Sequence, residues 1–469
     1  MYFQQFYLTC LSHASYMIGS EGVAAVVDPQ RDVAIYIEEA ERQDLRIEYI
    51  LETHLHADFV SGHRELAERT GAKIYLGAQA GATFPHQPVV DGDEIHFGRC
   101  ILRVLETPGH TVESITILVT DLEKSKQPFA ALTGDALFIG DVGRPDLSGD
   151  LTPQQLAGML YDSLHQKLLT LADDVEVYPA HGAGSLCGRQ MRPERVSTIG
   201  KERATNYALR AGSKDEFIRL LTSELPERPA YFAKDAEINR TGAHALGELP
   251  PLAALTPDAL LAEQAKGATV LDTRPPQQFG AGHVPGAVHI ALAGQFASWA
   301  GTILGLDEEI VIVSEDPQQG EEARMRLARV GIENVKGWLA GGMDAWLQAG
   351  RPTESVHQIS VDDLSKSIDD FQVVDVRRQP EFDGGHIPKA RLKPLHKLTS
   401  MLGDLDPDRP IAVQCKGGYR SSIGTSLLQK AGLKDVWNVI GGFDAWETCG
   451  LPKESVDPPH ASAAAPLSA

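Results

Sequence analysis

Two kinds of chemistry can be read from short segments of this 469-residue chain. In Thr53-His-Leu-His-Ala-Asp-Phe59 the side chains of His54, His56 and Asp58 recur every second residue, a spacing that lets an extended loop aim several ligands at one point. His110 in Thr-Pro-Gly-His-Thr, Asp135 in Thr-Gly-Asp-Ala-Leu-Phe and His181 in Tyr-Pro-Ala-His-Gly follow at long range, each beside Gly or Pro. Together they make a metal site far better supported than any lone His-x-His. The second chemistry belongs to Cys415-Lys-Gly-Gly-Tyr-Arg420, followed by Ser421 and Ser422 at the start of a helix. Lys416, Gly417, Gly418 and Tyr419 supply successive backbone N–H groups, Arg420 adds a guanidinium, and Cys415 becomes a stabilised sulfur nucleophile. Cys187 lies six residues after His181 in a glycine-flanked loop that can bring it to the metal as a sulfur carrier. Cys10 and Cys100 read as core, and Cys449 as a helix end.

These groups need elements to hold them. In the first half, strands are expected at Tyr16–Ile18, Val23–Val27, Ile50–Thr53, Lys73–Leu76, Ile101–Glu106 and Ile115–Val119, with helices at Val33–Asp44 and Gly62–Thr70. The candidate ligands fall just after strands, as in a layered α/β fold whose loops converge on one edge. His63, one turn into its helix, reads as a cap or solvated residue rather than a ligand. The second half repeats itself: Leu271-Asp-Thr-Arg…Gly-His-Val-Pro returns as Val374-Asp-Val-Arg…Gly-His-Ile-Pro at an offset of 103 residues, Gly331-Ile-Glu-Asn-Val as Gly432-Leu-Lys-Asp-Val at 101, and Gly341-Gly-Met-Asp-Ala-Trp346 as Gly441-Gly-Phe-Asp-Ala-Trp446 one residue across. A period of that size means duplicated domains. Short β-branched runs (Thr269–Leu271, Ile310–Val313, Gln372–Val376, Ile411–Val413) alternate with helical stretches such as Gly424–Ala431, the pattern of a parallel sheet covered by helices. Cys415 then sits at the carboxyl end of a strand, where functional loops of such sheets lie. The expected division is residues 1–245, 252–352, 357–455 and a disordered tail at 456–469, with Leu225 to Pro251 closing the first domain and serving as linker.

The formal charge of −21 argues against nucleic acid or an anionic membrane as partner. No basic-then-apolar leader and no uninterrupted apolar run near membrane length is present, so a soluble, cytoplasmic protein is expected. Five scattered cysteines without CxxC spacing exclude a disulfide framework or a structural zinc knuckle.

Residues 1 to about 245 resemble the metallo-β-lactamase superfamily, whose loop reads HxHxDH. Here Phe59 stands at the last position and cannot coordinate, so one metal is expected where the glyoxalase II-like zinc hydrolases hold two. Two histidines and one carboxylate, His54, His110 and Asp135, form the facial triad suited to mononuclear Fe(II), one per chain. His-Ala-Asp, Thr-Pro-Gly-His-Thr, Thr-Gly-Asp-Ala-Leu-Phe-Ile-Gly and Val142-Gly-Arg-Pro-Asp-Leu147 together resemble the persulfide dioxygenases, which convert a thiol persulfide and dioxygen to sulfite and thiol. That resemblance implies those three ligands, Arg144 near the substrate, and His56, Asp58 and His181 as supporting groups. For Arg144 the alternative is an ion pair with Asp141 or Asp146.

Residues 357–455 resemble the rhodanese sulfurtransferases, in which such a cysteine carries sulfane sulfur. In the other copy Ser314 replaces Cys415 and Gln319 replaces Arg420, with Glu315, Asp316, Glu321 and Glu322 nearby, which makes that copy catalytically silent. The two resemblances imply an α/β chain, a metallo-β-lactamase αββα sandwich followed by two rhodanese-like parallel-sheet domains. The implied activity is persulfide dioxygenation coupled to thiosulfate sulfurtransfer in sulfide detoxification. Glutathione, coenzyme A or a similar thiol would carry the persulfide, and a dimer or tetramer is expected. The alternatives are a zinc thioester hydrolase with an attached sulfurtransferase, a phosphatase at the Cys415 loop, and a non-catalytic persulfide sensor or relay.

Overall fold

The computed structural model describes residues 1–149, 151–223, 225 and 227–456, and the chain gathers into two compact units. The tail expected to be disordered from Asp457 lies outside the described residues. The first unit is built on Met1–Pro250 and takes in Ala300–Leu306 and Met325–Glu333; the second holds Pro251–Trp299, Asp307–Arg324 and the chain from Asn334 onward.

The first unit contains two six-stranded sheets. In one, Tyr2–Leu8, His13–Ser20, Val23–Val27, Arg46–Leu51, Lys73–Gly77 and Gln87–Val89 lie side by side in chain order. In the other the order is Ser197–Thr198, Glu176–Pro179, Ala130–Gly134, Ile115–Asp121, Cys100–Glu106 and Glu94–Phe97. Alternation along the strands divides the core. Tyr16, Ile18, Ala25 and Val27 meet Ile117, Val119, Ala130 and Leu132 between the sheets. Their neighbours Met17, Ala24 and Val26 pack with Val33, Tyr36 and Leu66 of the helical layer outside, while Leu118 and Ala131 pack with Leu156-side residues Ala157, Leu160 and Leu164 on the other flank. Side chains of successive strand residues point to opposite faces, so one run of apolar residues supplies two interfaces, and a helix–sheet–sheet–helix sandwich results.

Each rhodanese-like half of the second unit is a five-stranded parallel sheet with its own core. The strand orders correspond: Ala254–Leu255, Val335–Leu339, Ile310–Val313, Thr269–Asp272, Val288–His289 in the first copy, and His357–Ile359, Val436–Val439, Ile411–Gln414, Gln372–Asp375, Arg391–Leu392 in the second. The repeated motifs prove to be structural clips. Arg274 and Arg377 each grip the aspartate two residues earlier and donate to the carbonyl of Gly282 or Gly385 at 2.9 and 2.7 Å. Trp346 and Trp446 are buried and donate from Nε1 to the carbonyls of Pro352 and Pro452 at 2.8 and 2.7 Å.

Two expectations need correction, and one strand lies outside the expected set. Leu225 to Pro251 is more than a linker, for it contains the helix Phe232–Thr241, whose Phe232, Asp235 and Asn239 are buried. The opening residues form the strand Tyr2–Leu8, stabilised by full antiparallel pairing with His13–Ser20. His63 is neither capping nor solvated: it is 1 % exposed, and its Nδ1 lies 3.0 Å from Glu52 Oε1.

Candidate metal centre and thiolate loop

The loop after the strand Arg46–Leu51 turns His54 into the interior, and three atoms from three loops converge there. His54 Nε2, His110 Nε2 and one oxygen of Asp135 lie within 4.8 Å of one another, all buried. His110 Nε2 is 3.4 Å and His54 Nε2 3.8 Å from Asp135 Oδ2. None of the three atoms has a hydrogen-bond partner among the described residues. Three buried, orphaned lone pairs in a cluster would each be costly unless a cation held them, so the set fits a metal ion.

The atoms behind them fix their direction. His110 Nδ1 donates to the backbone carbonyl of Arg144 at 2.9 Å, which leaves the Nε2 lone pair facing the cluster. Thr53 Oγ1, itself held by Asp28 Oδ2 at 2.9 Å, lies 3.0 Å from His54 Nδ1. His181 Nδ1 meets Asp135 Oδ1 at 2.8 Å and its Nε2 meets Asp58 Oδ2 at 3.0 Å. Burial pulls the His54 and His110 imidazoles below their usual range, so both are neutral. Burial also opposes a charge on His181, but the carboxylates of Asp135 and Asp58 outweigh it and hold the ring well above its usual range. Burial would raise Asp135 too, yet His181 and His54 keep it a carboxylate.

Gly143 of the Gly-Arg-Pro-Asp segment explains that motif. A Cβ there would stand 2.1 Å from the Asp135 carbonyl oxygen and 2.8 Å from His110 Nδ1, so only glycine lets this loop pass against two ligands. The Arg144 guanidinium is turned to structure: Nε and Nη2 donate to Asp146 at 2.7 and 3.0 Å, and Nη1 donates to the Leu186 carbonyl at 3.2 Å. Its contacts include the ion pair with Asp146 considered as the alternative to substrate contact, and its carbonyl orients His110.

His56, Asp58 and His181 form a second buried group of atoms within 4.8 Å. His56 Nε2 also lies 3.3 Å from Asp28 Oδ1 and 3.5 Å from Glu52 Oε2. Phe59, fully buried, packs against the rings of His56 and His13, with centroids 4.4 and 4.1 Å away. Cys187 Sγ belongs to a third group, with Asp135 and His181. Burial, then the charges of Asp58 and Asp135, push its thiol well above the ordinary range.

Two residues escaped the sequence reading. Asn239, on the helix Phe232–Thr241, donates from Nδ2 to the carbonyls of His56 and Phe59, both at 2.7 Å, and accepts from Ser61 N–H at 2.8 Å. One side chain thus clamps the ligand loop from far downstream. His13 is wholly buried and neither ring nitrogen has a hydrogen-bond partner among the described residues. It lies in a strand whose pattern signals only sheet, and Asn239 lies in a polar stretch between prolines; neither carries a motif.

In the second unit Cys415 follows the strand Ile411–Gln414 and is 1 % exposed, with Lys416 and Gly417 exposed beside it. Gly418 N–H donates to Cys415 Sγ at 3.1 Å, and Ser421 Oγ lies 3.5 Å from the sulfur. Phe443 and Asp444 N–H groups bond the carbonyls of Cys415 and Lys416 at 2.7 and 3.0 Å, so the Gly-Gly-Phe-Asp-Ala-Trp motif ties down the loop. Arg420 is held end-on by Glu381, both nitrogens at 2.7 Å from its two oxygens. Burial opposes the Glu381 charge, but the guanidinium more than compensates and brings the carboxyl down to about 2. In the other copy Gln278 stands for Glu381 and Gln319 for Arg420. Both amides bond Glu315, at 2.5 and 3.0 Å, and Ser314 Oγ is spent on the Asp316 carbonyl at 2.8 Å. That loop offers carboxylate where the active one offers guanidinium.

Comparison with known proteins finds both kinds of domain. The metallo-beta-lactamase superfamily model matches residues 8–181, and the rhodanese-like domain model matches residues 256–349 and 360–449. The mitochondrial persulfide dioxygenase of Bos taurus is 33 % identical over 204 residues, covering 42 % of this chain and 70 % of that protein. Its Homo sapiens counterpart is 34 % identical over 178 residues, covering 38 % of this chain and 62 % of that protein, so the chain spans less than two thirds of it. A hydroxyacylglutathione hydrolase of Acidiphilium cryptum is 32 % identical over 226 residues, 44 % of this chain and 89 % of that one. Among solved structures, a metallo-beta-lactamase from Staphylococcus aureus superposes with a TM-score of 0.66 at 33 % identity, covering 72 % of this chain and 98 % of that one. Among the described residues no helix is long and apolar enough to cross a membrane.

Proposed function

Because the chain belongs to the metallo-β-lactamase superfamily and carries two rhodanese-like domains, we propose that it is a mononuclear Fe(II) persulfide dioxygenase coupled to a thiosulfate sulfurtransferase, acting in sulfide detoxification. The observation that carries this reading is the convergence of three orphaned atoms, His54 Nε2, His110 Nε2 and Asp135 Oδ2, with Phe59 where a further ligand of a binuclear site would stand. Two imidazoles and one carboxylate are the donor set of non-haem iron oxygenases and leave positions open for ligands. In the overall change a thiol persulfide, dioxygen and water become the thiol and sulfite, with the terminal sulfur oxidised and dioxygen reduced.

Iron, when bound, would supply the activation of dioxygen beside that sulfur. The chain's own residues do the rest. Arg144 O and His181 Nδ1 orient His110 and Asp135. At the second site the Cys415 thiolate attacks the outer sulfur of thiosulfate; the S–S bond breaks, sulfite leaves with the electron pair, and the sulfane sulfur remains as a Cys415 persulfide for an acceptor nucleophile. In reverse, sulfite made at the first site takes that sulfur and leaves as thiosulfate. Glutathione, coenzyme A or a similar thiol would carry the persulfide.

The buried group His56, Asp58 and His181 favours one competing reading, a two-zinc thioester hydrolase. Metal content and persulfide-dependent oxygen uptake, measured on the anaerobically iron-loaded full chain, separate the two. The expected result is about one iron per chain with sulfite formation. His110→Ala should lose oxygen uptake and keep thiosulfate sulfurtransfer, and Cys415→Ser should do the opposite. Two zinc ions with thioester hydrolysis and no oxygen uptake would establish the hydrolase instead.

A further inference from the structure

The helix that follows the thiolate loop, Tyr419–Lys430, is buried at eight consecutive positions from Ser421 to Leu428, although Ser421, Ser422, Thr425 and Ser426 are polar. A helix buried on all sides needs partners on all sides, and its hydroxyls need bonds. Its own sheet covers one flank. The catalytically silent copy supplies bonds on another.

His289, at the end of the silent copy's strand Val288–His289, is fully buried. Its Nε2 lies 2.8 Å from the carbonyl oxygen of Arg274, and a carbonyl can only accept, so Nε2 carries the proton. Nδ1 must then accept, and the group 2.9 Å away is Ser422 Oγ, which donates to it. The backbone N–H of His289 donates to Ser426 Oγ, one turn on, at 2.9 Å. Two residues further, the Ala291 carbonyl accepts from Tyr419 O–H at 2.8 Å. At the far end of the helix Lys430 Nζ reaches Thr269 Oγ1 at 3.2 Å.

The arrangement runs one way only. At the offset of 103 residues the place of His289 is taken in the active copy by Leu392, which has no side-chain polar atom, and at the offset of 101 that aligns Ser314 with Cys415 the places of Ser422 and Ser426 are taken in the silent copy by Glu321 and Met325. The polar grip therefore serves the copy that has the nucleophile.

We propose that His289 is a positioning residue for sulfurtransfer, and that the silent rhodanese-like copy sets the geometry of the Cys415 loop by holding the first turns of the helix behind it. The inference rests on the sulfurtransferase reading above. Gly418, Arg420 and Ser421, the groups around the sulfur, are joined directly to the turn that His289 holds, so a shift of that turn moves the anion cradle relative to Cys415 Sγ. A displacement near 1 Å in such a site lowers a rate by up to about 100-fold.

The test is thiosulfate-to-cyanide sulfurtransfer by the full chain. His289→Ala should lower kcat about tenfold while the thiosulfate KM changes less than about twofold, because His289 does not touch substrate. His289→Gln, which keeps an acceptor and a donor on one side chain, should recover a large part of the loss. Ser422→Ala removes the donated hydroxyl with little change in volume and guards against a His289→Ala chain that does not fold. It should reproduce the loss, and the double variant should be no worse than either single one. Full kcat in either folded single variant, or a Gln variant no better than Ala, would overturn the inference while leaving the sulfurtransferase reading intact. Absence of transfer by the wild-type chain, or its persistence in Cys415→Ser, would instead remove that reading and the inference with it.

Discussion

Asn239→Ala tests whether the ligand loop is held from outside its own segment. The side chain is 1 % exposed and satisfies three backbone groups, the carbonyls of His56 and Phe59 and the N–H of Ser61. Left dry and unpaired, each would cost about 1–3 kcal/mol. A water in the space vacated by the carboxamide can rejoin about two of them, which leaves one unpaired and brings the expected penalty to about 1–3 kcal/mol. The clamped carbonyls belong to the same turn as His54, His56 and Asp58, so part of that energy is lost from the alignment of the metal-binding atoms. A fall in metal affinity of about 10–100-fold follows, the range seen when groups behind first ligands are removed. The assay is competition for the bound metal by a chelator of known strength, run on the full chain beside its thermal unfolding. Asn239→Asp keeps an acceptor for Ser61 but turns an anionic oxygen toward two carbonyls, and should bind metal more weakly than the alanine variant. Wild-type affinity in a folded Asn239→Ala chain would refute the reasoning, since the loop would then hold its shape without the clamp.

Arg144→Lys and Asp146→Asn should impair the metal site alike, because both break the fork-to-carboxylate pair that fixes the loop whose carbonyl orients His110. If instead only Arg144→Lys raised the persulfide KM while Asp146→Asn did nothing, substrate contact would be the arginine's main service. Glu381→Gln should lower the stability of its domain in a pH-dependent way. The folded carboxyl titrates at about 2 against an ordinary 4.5, and a depressed carboxylate contributes stability above the ordinary value that is lost as pH falls through the folded one. The difference in melting temperature between wild type and variant should thus be full at neutral pH and shrink between about pH 4.5 and 2; a difference independent of pH would show that the Arg420 pair is not its source.

The chemistry of this chain was legible in its sequence because catalysis and metal binding require particular residue types at short, fixed spacings. His-x-His-x-Asp after a strand and Cys-x-x-x-x-Arg before a helix carry their geometry with them, and a repeat offset of 103 residues declares a duplication whatever its packing. Short runs of small and β-branched apolar residues likewise announced Val23–Val27 and Ile310–Val313 with their observed ends. What tertiary structure alone decided is which atoms stand behind the chemical ones. That the Arg144 carbonyl faces His110, that Asn239 reaches back 183 residues to His56, and that His289 of one copy accepts from Ser422 of the other are facts of backbone placement. Hydrogen-bond partners are chosen by proximity and direction after the layers have packed, and no period in a sequence records that choice. The candidate residues announced themselves by type; the groups that stand behind them became visible only in the fold.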